Sequence, residues 1–206
     1  MALPRWTLAL APPLGILTGC TNPESSTGSG TTTTTAADPC EALRDACFSK
    51  QRVCVASGDA ATCEPCGAAE YASAEGTCDA LPGTPMSHDF ADFTVKSGEE
   101  IKGLCQSWTL HNAEELRINA VELTQNESSH HSNWTFVPDD KFTGEDGVWS
   151  CDDRGYSQLS AALVGGVIYA QSTQATHEVQ KFPNSAAVRI PPYSRIIGDI
   201  HLLNAS

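Results

Sequence analysis

The run Arg195-Ile-Ile-Gly-Asp-Ile-His-Leu-Leu203 decides the fold. Its side chains alternate between two sets, Ile196, Gly198, Ile200 and Leu202 against Ile197, Asp199, His201 and Leu203, and a period of two belongs to a strand. The run reads as a core strand on which His201 and Asp199 share a face. Upstream, Leu104, Gln106, Trp108 and Leu110 fall on one strand face, and Leu116, Ile118 and Ala120 on one face of the next strand. Ala162 to Ala170 is almost continuously apolar, as a strand covered on both faces would be. Asp153 to Leu163 has the pattern of a short helix capped by Asp153, weakened by Gly155. The economical architecture for residues 90–206 is a mainly β, antiparallel sandwich of jelly-roll-like type.

Ahead of that domain the composition changes. Cys40, Cys47, Cys54, Cys63, Cys66 and Cys78 crowd a stretch with few large apolar side chains, so residues 40–80 form a small module in which cross-links replace a core. Three disulfides are expected there, in a connectivity the sequence leaves open. Cys63-Glu-Pro-Cys66 lacks a second CxxC, a nearby histidine or a βαβ context, and its cysteines are read as structural rather than redox or zinc-binding. Cys105 and Cys151 are expected to bridge each other, closing a loop worth roughly 3 to 4 kcal/mol. Nine cysteines in 206 residues suit an oxidising compartment.

Lys and Arg total 12 against 25 Asp and Glu, a net charge of -13. With no basic stripe, nucleic acid is excluded as a natural partner. Asp139, Asp140, Glu145, Asp146, Asp152 and Asp153 lack the spacing of a calcium loop and read as a solvated acidic face.

The start of the chain, Met1-Ala-Leu-Pro-Arg5, is weakly basic, and Trp6 to Leu17 is apolar but broken by Pro12 and Pro13, too short to span a bilayer. The sequence Leu17-Thr18-Gly19-Cys20 resembles the bacterial lipobox. That resemblance implies a lipoprotein signal over 1–19, a lipid on Cys20 that holds the protein at a membrane, and a place in the bacterial cell envelope, at the outer membrane. Residues 20–39, rich in Ser, Thr and Gly, are expected to be a flexible tether.

Histidines stand at 88, 111, 130, 131, 177 and 201. The pair His130-His131 is followed by the strand-like Trp134-Thr-Phe-Val137. Neighbouring strand residues point to opposite faces, so both rings can reach one ion only where the backbone bends, as at a bulge. Three imidazoles without a thiolate suit copper or zinc. His88, His111 and His177 carry no motif and are read as surface residues.

The order Glu100-Ile-Lys-Gly-Leu-Cys105, His130-His131, Cys151, Gly165-Gly166-Val-Ile-Tyr-Ala170, Phe182-Pro183, Val188-Arg-Ile190, Ile200-His201-Leu202 resembles the N-terminal domain of the copper type II, ascorbate-dependent monooxygenases, the family of peptidylglycine alpha-hydroxylating monooxygenase and dopamine beta-monooxygenase. The resemblance covers roughly residues 97–206. It implies a copper held by His130, His131 and His201, reduced by ascorbate or another donor, that passes electrons to a second copper where C–H hydroxylation occurs. Asp199, two residues before His201, is a candidate to orient an imidazole, a role the resemblance does not supply.

Two departures limit it. Ser132, Thr135 and Val137 stand where the animal enzymes have a methionine, an aromatic and a cysteine. The sequence also ends at Ser206, before any second domain with its His-x-His and Met ligands, and Met86 cannot replace them. The expectation is the truncated first half of such an enzyme, without oxygen chemistry of its own. Two competing readings are a surface lipoprotein that binds a partner, with the three rings far apart, and a periplasmic copper or zinc carrier, with binding that needs no second domain.

Overall fold

A computed structural model describes residues 5–10 (backbone only), 38–90, 92–171, 175–183 and 186–205. Most of the chain's regular structure is strand, and the strands pair antiparallel throughout. The cysteine-rich part holds helix α1 (Arg44–Phe48) and two hairpins, β2 (Arg52–Ser57) with β3 (Ala60–Pro65) and β4 (Glu70–Ala72) with β5 (Cys78–Ala80). Its bridges are Cys40–Cys54, Cys47–Cys63 and Cys66–Cys78. The two cysteines of the CxxC are thus both structural, and each pairs outside the motif.

The main domain is two five-stranded sheets. The first runs β12 (His177–Lys181), β8 (Leu116–Thr124), β1 (Arg5–Leu10), β6 (Thr84–Asp89), with β13 (Val188–Ile190) also on β8. The second runs β10 (Gly147–Ser150), β7 (Glu100–Thr109), β14 (Ser194–Leu203), β9 (Ser129–Pro138), β11 (Gly166–Gln171). Between them lies a core of Ile118, Val121, Leu123 and Ile190 from the first sheet against Trp134, Phe136, Ile168, Ile196, Ile200 and Leu202 from the second. Gly198 belongs to this inner set because a Cβ there would lie 2.5 Å from the Trp134 ring, and Trp134 is fully buried.

Several sequence expectations are corrected. The expected helix from Asp153 is split. Cys151–Arg154 is a 3-10 turn ended by Gly155 at φ 61°, and helix α2 (Gln158–Val164) starts afresh with Ser157 accepting from the Ser160 N–H at 3.2 Å. The apolar run Ala162 to Ala170 is likewise not one strand. It is the end of α2, a turn at Gly165, and the edge strand β11, the ambiguity that short apolar runs carry. Ala120 does not share a face with Leu116 and Ile118. The β1–β8 register shifts by one residue at Asn119, and this bulge turns Ala120 outward to Leu81, Val179 and Tyr71. Residues Arg5–Leu10, expected within a signal, pair as β1 between β8 and β6. The lipidation expected at Cys20 falls outside the described residues, as do residues 20–37 of the expected tether. Strand β6 lies ahead of position 90, yet β1 joins it to the first sheet.

The outer face of the first sheet carries the cysteine-rich module. Glu122, almost fully buried, accepts from the Ala69 N–H at 3.2 Å and meets His177 Nε2 at 2.9 Å. The Val179 N–H donates to Gln51 Oε1 at 2.8 Å and Asn119 Nδ2 to Pro82 O at 2.9 Å. The outer face of the second sheet is covered by the segment from Phe142 to Ala161, which buries Val137, Ile197 and Cys105 under Trp149, Tyr156 and Ala161. The Cys105–Cys151 bridge, expected from the sequence, pins this strap to β7. Asp146 is exposed, as expected of the acidic face, and is also anchored: it accepts from the Thr109 N–H at 2.8 Å, Thr109 Oγ1 at 3.0 Å and Ser107 Oγ at 3.2 Å, beside the buried Arg195.

Candidate metal centre

The strap leaves one end of that outer face open, and the three histidines lie there. Along β9 and β14 the outward pairs are Thr135 with Ile197, Asn133 with Asp199, and His131 with His201. Tyr156 covers the first pair, its hydroxyl 3.2 Å from Thr135 Oγ1. Gln158 at the start of α2 closes over the second, accepting from Asn133 Nδ2 at 3.1 Å and donating to Asp199 Oδ2 at 2.7 Å. His131 and His201 come next, beyond the strap.

His130 joins them because the ladder skips it. His201 pairs with His131 but Leu202 pairs with Ser129, so His130 is the extra residue of a β-bulge. In an unbroken strand its ring would turn toward the buried core. The bulge brings both rings of the pair to one site, the bend the sequence required. Ring centroids are 5.0 Å apart for His130 and His131, 4.9 Å for His130 and His201, and 4.6 Å for His131 and His201. One ligand nitrogen from each ring lies within 4.8 Å of the others. Metal–nitrogen bonds of about 2.0–2.1 Å would require the rings to turn inward from there.

Two observations test whether the donors suit a metal. His130 Nδ1 is buried with no hydrogen-bond partner among the described residues, a lone pair or proton left without use. His131 has its pKa lowered, first by burial and then by the charges of His201 and His130, with Asp199 opposing. Lowering favours the neutral imidazole, the form that ligates.

Asp199, expected to orient an imidazole, is held by Gln158 and acts on His131 through its charge. The carboxylate that meets a ring is Glu100, whose Oε1 is 2.7 Å from His201 Nε2 and 2.9 Å from Lys102 Nζ. These two donors, Lys102 first, hold the Glu100 carboxyl below its ordinary range. Sequence reasoning missed this role. Leu104 pairs with Ile200 and Glu100 with Leu203, so one extra residue lies between them at Lys102–Gly103, and Gly103 has φ 67°. Simple alternation puts Glu100 on the core face with Leu104; the bulge turns it out to His201. Gly103, three residues after Glu100, is the trace this bulge leaves in the sequence.

The remaining histidines are elsewhere. His177 is not a free surface residue but meets Glu122, and His88 stacks on Trp108, centroids 5.0 Å apart and planes at 9°. His111 is exposed, at φ 51°. No helix among the described residues is long and apolar enough to cross a membrane. No protein-family model, curated protein or solved structure matches the chain.

Proposed function

We propose that this chain is an exported copper-binding domain, with His130, His131 and His201 as ligands, serving as the electron-transfer half of a copper monooxygenase system. The observation that carries the reading is the bulge at His130, which spends a ladder pairing to gather three imidazoles on one open face. When bound, copper would supply one-electron chemistry, with ascorbate or another reductant as donor. The protein's part is to present three imidazole nitrogens at a partly exposed rim, where a small reductant has access, and to keep the rest of the face closed with the strap. Copper is favoured over zinc by the resemblance, since the ligand types suit both. C–H hydroxylation would require a further copper on a further domain. Four disulfides support an exported setting; a lipid on Cys20 would place the domain at a membrane surface and would require residues 1–19, with β1, to be cut away.

The test is copper stoichiometry and Cu(II) EPR on the purified full chain and on His130→Ala, His131→Ala and His201→Ala, with zinc measured in parallel. The expected result is one copper per chain with nitrogen hyperfine coupling, lost in each variant. Weak binding that is indifferent to all three substitutions overturns the reading.

A further inference from the structure

We propose that Glu100 is a positioning residue that selects Nδ1 of His201 as the metal-binding nitrogen. The inference rests on the three-histidine reading and deepens it. An ionised carboxylate only accepts hydrogen bonds, so the 2.7 Å contact from Glu100 Oε1 to His201 Nε2 puts the ring proton on Nε2. In a neutral imidazole the remaining lone pair is then on Nδ1.

Three features mark this contact as built. Glu100 stands on the same outward face as His201 only because of the bulge at Lys102–Gly103. Lys102 Nζ, 2.9 Å from the same oxygen, restrains the carboxylate and supports its negative charge. Finally, the β7 bulge and the His130 bulge on β9 flank β14 at the same level, between Ile200 and Leu202 on one side and His201 and Leu202 on the other. One interruption delivers the ligand pair, the other the carboxylate. A carboxylate on the far nitrogen of a ligating histidine fixes tautomer and ring orientation and raises ligand basicity.

The test compares wild type, Glu100→Ala and Glu100→Gln as full chains. Copper(II) and zinc(II) affinities are measured by chelator competition, and the tautomer of His201 is read from its imidazole nitrogen shifts in the apo and zinc-loaded protein. The expected result is an Nε2–H ring in wild type, zinc on Nδ1, an affinity loss of roughly ten- to a hundredfold in Glu100→Ala, and a smaller loss in Glu100→Gln, which keeps an acceptor. Circular dichroism of the apo variants controls for folding, since a structural role alone would not move the tautomer signal. If wild type binds metal but through Nε2 of His201, or Glu100→Ala binds as tightly as wild type, the positioning role fails while the three-histidine reading stands. If wild type binds no metal, both fall.

Discussion

His131 and His201 are paired directly across β9 and β14, with ring centroids 4.6 Å apart and planes at 87°. Both residues stand on the outer face of the second sheet rather than between the sheets. Replacing His131 or His201 by alanine is therefore expected to remove metal binding while changing the apo protein's stability by no more than about 1 kcal/mol. Chemical denaturation of the metal-free variants checks this. A large loss of stability would mean that the rings are structural.

The strap is joined to β7 by the β10 ladder and by the Cys105–Cys151 bridge, which closes a separation of 46 residues. The double variant Cys105→Ala, Cys151→Ala should lose about 4 kcal/mol on the chain-entropy account. Denaturant unfolding of the variant under oxidising conditions measures the loss, and a change below about 1 kcal/mol would show that the β10–β7 ladder and the packing of Trp149 and Tyr156 hold the strap without the bridge.

Gly198 is where the site-bearing strand passes under Trp134. Gly198→Ala must push the indole, whose Nε1–H donates to Ser132 Oγ at 2.8 Å, and overpacking of this kind costs about 1–3 kcal/mol. The thermal midpoint should fall accordingly. An unchanged midpoint would show that the ring has room to move.

His88 supplies a pH dependence. Its pKa is lowered from the ordinary 6.5, chiefly by burial, with Asp146 and Asp89 pulling the other way. Between 6.5 and the lowered value the unfolded chain binds the proton and the folded chain does not, so stability falls as pH drops through that window and is complete above it. Thermal midpoints of wild type and His88→Gln between pH 7.5 and 5 should diverge in slope, the variant being flatter. Parallel slopes would contradict the assignment.

Glu122 ties the cysteine-rich module to the sandwich through the Ala69 N–H and His177. Removing it leaves partly buried donors unpaired, at about 1–3 kcal/mol. Glu122→Ala should raise the rate of limited proteolysis between residues 65 and 90 and leave metal affinity unchanged, because the module and the histidines lie on opposite outer faces. Loss of metal binding would show that the two faces are coupled.

What the sequence revealed follows from what alternation carries. Ile196, Ile200 and Leu202 were grouped on one strand face by period alone, and that face lies in the core between the sheets. The histidines stood out because adjacent imidazoles are uncommon and need a bend to act together. Ala120 was put on the wrong face and Glu100 was given no role in the site, because each lies past a bulge, and one unpaired residue inverts the face of everything beyond it. Leu163 and Val164 continue an apolar run that ends in β11, yet they close a helix and stay exposed. Period gives no boundary there, and Ser157 and Gly165 supply it.

A central strand is ordinarily the most protected part of a sheet. β14 has that status from Ser194 to Ile200, but at His201 the ladders on both sides are interrupted at once. Past the interruptions the backbone is paired again, the Leu203 N–H to Ser128 O at 2.9 Å and the Asn204 N–H to Glu99 O at 3.0 Å, but amide protons beside the two bulges should exchange with solvent sooner than those of Ile196 or Ile197. Local opening is thus concentrated where three rings would have to turn inward around an ion, and an ion that holds them would slow that exchange at the strand's end while leaving its middle as it was.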